Sequence, residues 1–270
     1  MTSVVAWQRE VGALSELVVA SDSRLGGGEE WDACAKIFDI GRDDAVLAFA
    51  GNTWRALPLV LQAVATTRSY RGSSLRTLDL PKFAGHIERV LNAVLYEARG
   101  EAASEPPACE FLLGGWSWTM AKFRVYKYSF DRRGWRFRVN PAAEQLPTSI
   151  RGAGRGRLYA AIGDASTRLT GRLARGYNLS TITGPLDYHP LEQLYQQTID
   201  ANEHSVGGAV QVSKVYKSIR VEHFMTQVSS NVSVSGRPVL SYENVDLRTI
   251  TRQADGSWTT QADRSPSIPD

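Results

Sequence analysis

The sequence has few of the residue types on which disulfide frameworks and metal sites depend. Its 270 residues include only two cysteines, Cys34 and Cys109, and these have no metal-ligand spacing. The four histidines are scattered along the chain, so they also do not suggest a metal centre. We therefore expect reduced thiols and a cytoplasmic location, with no metal and no cofactor.

Long apolar runs and a strong net charge are missing as well. No stretch of 18 apolar residues occurs, and the first residues lack the basic and apolar regions of a signal peptide, so we expect no membrane contact. The 31 basic residues nearly balance the 28 acidic ones, which predicts no attraction to polyanions. Residues 116–135 mix aromatic and basic side chains, as some nucleic-acid-binding segments do, but alternating strand faces explain this mixture, and we expect no nucleic acid partner.

The length and composition predict one large domain over residues 1–252, followed by a polar C-terminal tail over 253–270. Strand-like segments come in pairs, at 3–7 with 16–21 and at 35–40 with 45–50, and residues 8–15 are predicted to be a hairpin loop. Helical patterns follow, and the same order returns later in the chain. This order predicts an α+β fold, a four-layer αββα sandwich of two antiparallel sheets between helices.

The chemistry is concentrated in the first 51 residues. Thr2 would become the first residue if Met1 were removed, and methionine aminopeptidases accept a small second residue such as threonine. A free N-terminal threonine carries a hydroxyl nucleophile and an amine whose ordinary pKa is about 7.7–8.0, so the amine can act as a base near neutral pH. Asp22 ends the second predicted strand, and Lys36 lies on the third, on the same face as Phe38 and Ile40.

This order of Thr, Asp-Ser-Arg, Lys and Gly resembles the proteasome β-type N-terminal-nucleophile hydrolases, whose bacterial members include HslV and the Anbu-type homologues. The resemblance implies that Thr2 attacks the substrate and that Asp22 and Lys36 surround it. It also implies that Gly51 supplies an oxyanion-binding N–H and that Ser205 bonds the amine of the nucleophile. From the residues alone, Gly51 can equally serve only to permit a turn from a strand into a helix capped by Asn52.

The sequence departs from the family pattern at several positions. Asp164 stands where the family has a serine near the amine of the nucleophile. Asn202 stands where the family has an aspartate, and Asp200 is a candidate substitute. The predicted loop 8–15 is also longer than the family usually has.

The resemblance implies a threonine-type peptidase that cleaves peptide bonds through an acyl-enzyme on Thr2. Two alternatives stay open, a small-molecule amidase and a catalytically inactive structural subunit. Members of the family form rings or open helical stacks, so a homo-oligomer is implied, and some work with an ATP-dependent unfoldase. The expected substrate is a peptide or another amide.

Overall fold

The computed structural model describes residues 2–25, 30–142, 159–182 and 185–260. Fourteen strands occur in these ranges: β1 (Val4–Val11), β2 (Leu14–Ser21), β3 (Ile37–Asp39), β4 (Ala45–Gly51), β5 (Cys109–Ser117), β6 (Lys122–Asp131), β7 (Arg136–Pro141), β8 (Tyr159–Ile162), β9 (Gln211–Tyr216), β10 (Arg220–Val228), β11 (Asn231–Val234), β12 (Arg237–Pro238), β13 (Thr249–Arg252) and β14 (Trp258–Thr260). The helices of these ranges are α1 (Thr53–Ser69), α2 (Arg71–Ser74), α3 (Leu80–Tyr96), α4 (Glu101–Ser104), α5 (Ser166–Asn178) and α6 (His189–Thr198).

The strands form two large sheets. In the nine-stranded sheet the order is β12-β11-β10-β9-β2-β1-β8, and β13 joins β10 and carries β14 on its other side. The five-stranded sheet has the order β3-β4-β5-β6-β7. All pairings are antiparallel except that of β10 with β13.

The first hairpin is tighter than we predicted. β1 and β2 pair continuously from Val4↔Ser21 to Val11↔Leu14, so only two residues form the turn. Gly12 begins this turn with φ +58°, a conformation that costs glycine little. The predicted loop over residues 8–15 is therefore wrong, because most of these polar residues extend the strands beyond the buried part of the sheet.

Both faces of the central strands are buried. Alternate residues of β1 and β2 point into the space between the two sheets, where they meet residues of β4 and β5. This inner core includes Val4, Ala6, Leu17, Val19, Val46, Ala48 and Leu112. The other faces of the two sheets contact helices, with Val5 and Trp7 packed among residues of α5 and α6, and Phe49 and Phe111 packed among residues of α1 and α3. The two sheets thereby hold the ends of β2, β3 and β4 in fixed positions.

The predicted fold class, an α+β four-layer αββα sandwich, is wrong. The described chain is mostly β, and its six helices hold 27% of the described residues. The expected alternation of strand pairs with helix pairs fails after residue 210, where six strands follow one another and no helix is described. The sequence predicts strands over residues 209–216 and 219–224, which correspond to β9 and β10. It does not predict β11 to β14, which are short and rich in Ser, Thr and Arg.

The predicted tail over residues 253–270 is described only as far as residue 260. Within it, β14 pairs with β13, and Trp258 is buried. The remaining residues, 261–270, lie outside the described ranges. In the part of the chain that the structure describes, no helix is both long enough and apolar enough to span a membrane.

Candidate active site

The first hairpin brings Thr2 and Asp22 to the same edge of the nine-stranded sheet. Thr2 lies two residues before β1, and Asp22 follows β2 directly. The pairing extends one step past the strands, since the Ser3 N–H donates to Asp22 Oδ1 at 3.1 Å and the Asp22 N–H donates to the Ser3 carbonyl at 3.3 Å. Antiparallel pairing of β1 with β2 therefore brings Thr2 and Asp22 together, although they are 20 residues apart in the sequence.

Lys36 reaches both residues from the five-stranded sheet. Its Nζ lies 2.9 Å from Thr2 Oγ1 and 3.0 Å from Asp22 Oδ1, and it also donates to the carbonyl oxygen of Arg24. A lysine ammonium has three protons to donate, so these three acceptors use its full capacity. Asp22 and Lys36 are fully buried, and Thr2 is 2% exposed.

The carboxylate of Asp22 is held by backbone groups as well as by Lys36. Its Oδ2 accepts hydrogen bonds from the N–H groups of Arg24 at 3.2 Å and Gly207 at 3.3 Å. With Ser3 and Lys36 on Oδ1, every side of the carboxylate has a donor. A buried carboxylate that is bonded in this way keeps a single orientation and fixes the Lys36 ammonium beside it.

Burial is the dominant influence on the protonation of this pair. It raises the pKa of Asp22, against the opposing effect of the nearby Lys36 ammonium and the N–H donors. It lowers the pKa of Lys36, against the opposing effect of Asp22. The hydrogen bonds that Nζ donates favour its charged ammonium form, which can stabilise negative charge on the adjacent hydroxyl oxygen of Thr2.

Gly163, which follows β8, packs directly against the main chain of Thr2. It has φ +94°, and a Cβ built on it would lie 2.0 Å from the Thr2 carbonyl oxygen and 3.1 Å from Ala50 Cβ. Its N–H donates to Glu110 Oε2 at 3.1 Å, so β5 of the other sheet holds this residue against Thr2. No sequence pattern predicts a role for either Gly163 or Glu110.

Gly51 ends β4, one residue after Ala50, and the conformation of the turn requires glycine. Its φ is +99°, and a Cβ there would lie 2.3 Å from the Ala108 carbonyl oxygen. Asn52 then caps α1 by accepting a hydrogen bond from the Arg55 N–H at 3.2 Å, as predicted. The turn alone therefore explains Gly51, and its oxyanion role stays a prediction.

Ser205 is buried and lies two residues before Gly207, whose N–H donates to Asp22. In the described ranges, however, no hydrogen bond joins Ser205 to Thr2, Asp22 or Lys36. The site thus consists of three predicted residues, in which Lys36 contacts both Thr2 and Asp22, with Gly51 and Ser205 in the neighbouring turns.

Among the described residues, no hydrogen bond joins those at which the sequence departs from the family pattern to Thr2, Asp22 or Lys36. Asp164 is exposed. Asp200 accepts hydrogen bonds from Arg172 at 2.5 Å and from the Asn202 N–H at 3.0 Å. Asp200 is therefore engaged elsewhere and is a poor substitute for the missing family aspartate.

Gln211, the first residue of β9, is a further residue at the site that the sequence did not predict. Its side chain contacts the backbones of Asp22, Cys34 and Lys36 together. A glutamine at the start of a strand has no distinctive sequence pattern, and its partners are at least 175 residues away along the chain. Only the tertiary structure shows this contact.

Comparison with known proteins adds no relative. No protein-family model matches the sequence, and no curated protein matches it closely enough to count as related. Functional inference therefore depends on the geometry of Thr2, Asp22 and Lys36.

Proposed function

We propose that the protein is a threonine-type hydrolase of the proteasome β-type, which cleaves peptide bonds through an acyl-enzyme on Thr2. The observation that carries this proposal is the contact of Lys36 Nζ with Thr2 Oγ1 at 2.9 Å, with Asp22 paired to the same nitrogen. A hydroxyl that accepts a hydrogen bond from a buried ammonium is stabilised as it becomes an alkoxide. That stabilisation is what a weak hydroxyl nucleophile needs.

The proposed reaction begins when Thr2 is the first residue of the chain. Its Oγ1 attacks the carbonyl carbon of the substrate amide, and the hydroxyl proton passes to the free α-amine. This proton then goes to the departing amine as the C–N bond breaks, which leaves an ester on Thr2. Water attacks the ester, releases the acid product and restores the hydroxyl.

In the proposed reaction the other residues have separate tasks. Lys36 stabilises negative charge on Oγ1, and Asp22 holds Lys36 in place. The N–H of Gly51 is the proposed donor to the carbonyl oxygen of the substrate, at the turn that leads into α1. Gly163 packs closely against the main chain of Thr2 and limits its movement.

Self-association and a cytoplasmic location are further parts of the proposal. Support for a homo-oligomer comes from α1, where Trp54 is 89% exposed and Leu61 is 61% exposed. Large apolar side chains on one exposed helix face are typical of a protein interface. Cys34 and Cys109 are both free thiols, which is consistent with a reducing compartment. Light scattering would measure the mass of the assembly.

The function is tested by substituting the nucleophile. Thr2→Ala is expected to abolish hydrolysis of fluorogenic peptides, while Thr2→Ser retains part of it because the hydroxyl remains. Thr77→Ala is the matched control, since Thr77 is exposed between α2 and α3 and outside the site. Parallel assays with a peptide library and a panel of small amides would separate a peptidase from an amidase. Equal rates for Thr2→Ala and the wild type would refute the proposal.

A further inference from the structure

We infer that Gln211 is a positioning residue of the proposed site, whose side-chain amide fixes the backbone of Lys36 relative to that of Asp22. This inference rests on the proposed function, because its consequence for catalysis requires the Thr2, Asp22 and Lys36 site to be active. The contact geometry that supports it does not depend on activity.

The side-chain amide of Gln211 makes three hydrogen bonds, and all three are to backbone groups of the site. Oε1 accepts a hydrogen bond from the Lys36 N–H at 3.0 Å. Nε2 donates to the carbonyl oxygens of Asp22 at 3.1 Å and Cys34 at 2.7 Å. The two donors and the acceptor fit only one orientation of the amide, because a flipped amide would place its NH₂ group against the Lys36 N–H. Gln211 is 4% exposed, so water does not replace these bonds.

Lys36 depends on this amide because its own strand is short. It precedes β3, which has three residues, and its carbonyl accepts a hydrogen bond from the Phe49 N–H of β4 at 3.2 Å. Its N–H faces the other sheet and is bonded by Gln211. Gln211 belongs to β9 of the nine-stranded sheet, beside β2, which leads to Asp22. The amide therefore joins the two sheets at the place where the Lys36–Asp22 ion pair also joins them.

A glycine packs behind the amide and limits its movement. A Cβ on Gly236 would lie 3.0 Å from Gln211 Nε2, 2.5 Å from Ser23 Cβ and 3.2 Å from the Cys34 carbonyl oxygen. The turn at Gly236 thus lies directly against both the amide and the chain that it binds. Gln211 is enclosed between this turn and the site, so its position is passed on to Lys36.

The first test compares Gln211→Met with Gln197→Met. Methionine has a similar length but neither a donor nor an amide oxygen, so it breaks the three bonds without leaving a cavity. Gln197 is the control, because it is fully buried and donates to the Ala165 carbonyl at 3.1 Å, away from Asp22 and Lys36. We expect Gln211→Met to lower kcat about tenfold to hundredfold, since small displacements of reacting groups have effects of this size, with KM nearly unchanged. Gln197→Met should lower Tm and leave kcat unchanged.

The second test uses Gln211→Glu and a pH profile. The substituted side chain has nearly the shape of the amide, but only its protonated form can donate to a carbonyl oxygen. The activity of Gln211→Glu relative to the wild type is therefore expected to rise as the pH is lowered. The comparison is made at pH values where circular dichroism shows Gln211→Glu to be folded, so a role in folding alone would not produce this rescue. A flat ratio across the pH range, or equal losses of kcat in Gln211→Met and Gln197→Met, would overturn the inference.

A third measurement separates this inference from the proposed function. The titration of Lys36 can be followed by NMR of its side chain with no substrate present. Burial holds the pKa of Lys36 low, so a loosened site that admits water should let this pKa rise in Gln211→Met and not in Gln197→Met. If Thr2→Ala hydrolyses peptides like the wild type, the proposed function fails, yet this titration still tests the positioning role. An unchanged Lys36 titration in Gln211→Met would refute that role.

Discussion

The α-carbon of Gly163 lies so close to Thr2 that no side chain fits between them. A Cβ on Gly163 would lie 2.0 Å from the Thr2 carbonyl oxygen, well inside any real contact distance. The φ of +94° adds a second reason for glycine at this position. Since the Gly163 N–H donates to Glu110, the glycine cannot move away without losing a hydrogen bond between the sheets.

We predict that Gly163→Ala reduces both activity and stability. The added methyl group must displace the main chain of Thr2, and inserting a methyl group into a packed site costs about 1–3 kcal/mol. The displacement should move Thr2 Oγ1 away from Lys36 and lower kcat at least about tenfold. Chemical denaturation and steady-state kinetics measure the two effects.

Gly85→Ala is the matched control for this substitution. Gly85 is in α3, and no atom lies within 4 Å of a Cβ built there. Alanine should stabilise that helix by about 0.5–1 kcal/mol and leave kcat unchanged. If Gly163→Ala behaves like Gly85→Ala, the close packing of Gly163 against Thr2 does not limit function.

We predict that Lys36→Ala lowers activity more than Lys36→Arg does, and that both fall well below the wild type. Loss of one preorganised charged group from an active site costs about 10²–10³ in kcat. Arginine keeps the charge, but its planar guanidinium does not fit a site in which one nitrogen meets three acceptors.

The same substitution should also destabilise the fold, because Asp22 would be left buried without a cation. Breaking one side of a buried ion pair costs about 3–5 kcal/mol. Lys82→Ala is the control, since Lys82 is exposed on α3. Kinetics together with denaturant unfolding would separate the two losses. Normal turnover in a folded Lys36→Ala protein would remove Lys36 from the site.

The proximity of Thr2, Asp22 and Lys36 could be anticipated because local rules determine it. The hairpin of β1 and β2 places Thr2 beside Asp22, and the next hairpin follows within the same 51 residues. Hydrophobic strands and turn residues are visible in a sequence. The resemblance to the proteasome β-type hydrolases named the three residues, and the hairpin pattern agreed with their proximity.

The rest of the site could not be anticipated, because its contacts span long stretches of the chain. Gln211 and Gly163 are separated from their partners by between 53 and 189 residues. Nothing in the neighbourhood of either residue indicates that partner. The fold class failed for a related reason, since strands such as β13 and β14 owe their structure to pairing with each other and with β10, and not to an apolar alternation of their own.

We predict that stability falls as the pH is lowered through the range in which histidines titrate. Burial lowers the pKa of His223 below its ordinary value of 6.5, so the unfolded chain binds the proton more readily than the folded chain does. The free energy of unfolding should therefore decrease as the pH falls below about 6.5. His86 and His189 act in the same direction, because burial lowers their pKa values too.

His223→Gln is expected to make this pH dependence shallower. Glutamine can keep a hydrogen bond to Ser213 Oγ, which lies 2.7 Å from His223 Nδ1, without binding a proton. His204→Gln is the control, since His204 is exposed. Denaturant unfolding between about pH 5 and about pH 7.5 gives the slopes. An identical slope for His223→Gln and the wild type would exclude His223 as a source of the effect.

The last prediction concerns the amine that the proposed reaction uses as its base. In the printed sequence the nitrogen of Thr2 forms a peptide bond with Met1, and an amide nitrogen has no basic lone pair. Lys36 cannot easily take over as the base, because Thr2 Oγ1, Asp22 and the Arg24 carbonyl occupy all three of its donor positions. The active protein is therefore expected to begin at Thr2.

Intact-mass spectrometry of protein purified from its own host would measure the fraction that begins at Thr2. An epoxyketone gives a second readout, because it forms a ring with both the hydroxyl and the free amine of an N-terminal threonine. The adduct should appear in the wild type and be absent from Thr2→Ala, while Thr77→Ala should react like the wild type. If the nitrogen of Thr2 is acylated in every molecule and no adduct forms, the protein is not a hydrolase of this type. The structural-subunit alternative is then favoured, since the contacts of Lys36 and Asp22 would serve only to hold the two sheets together.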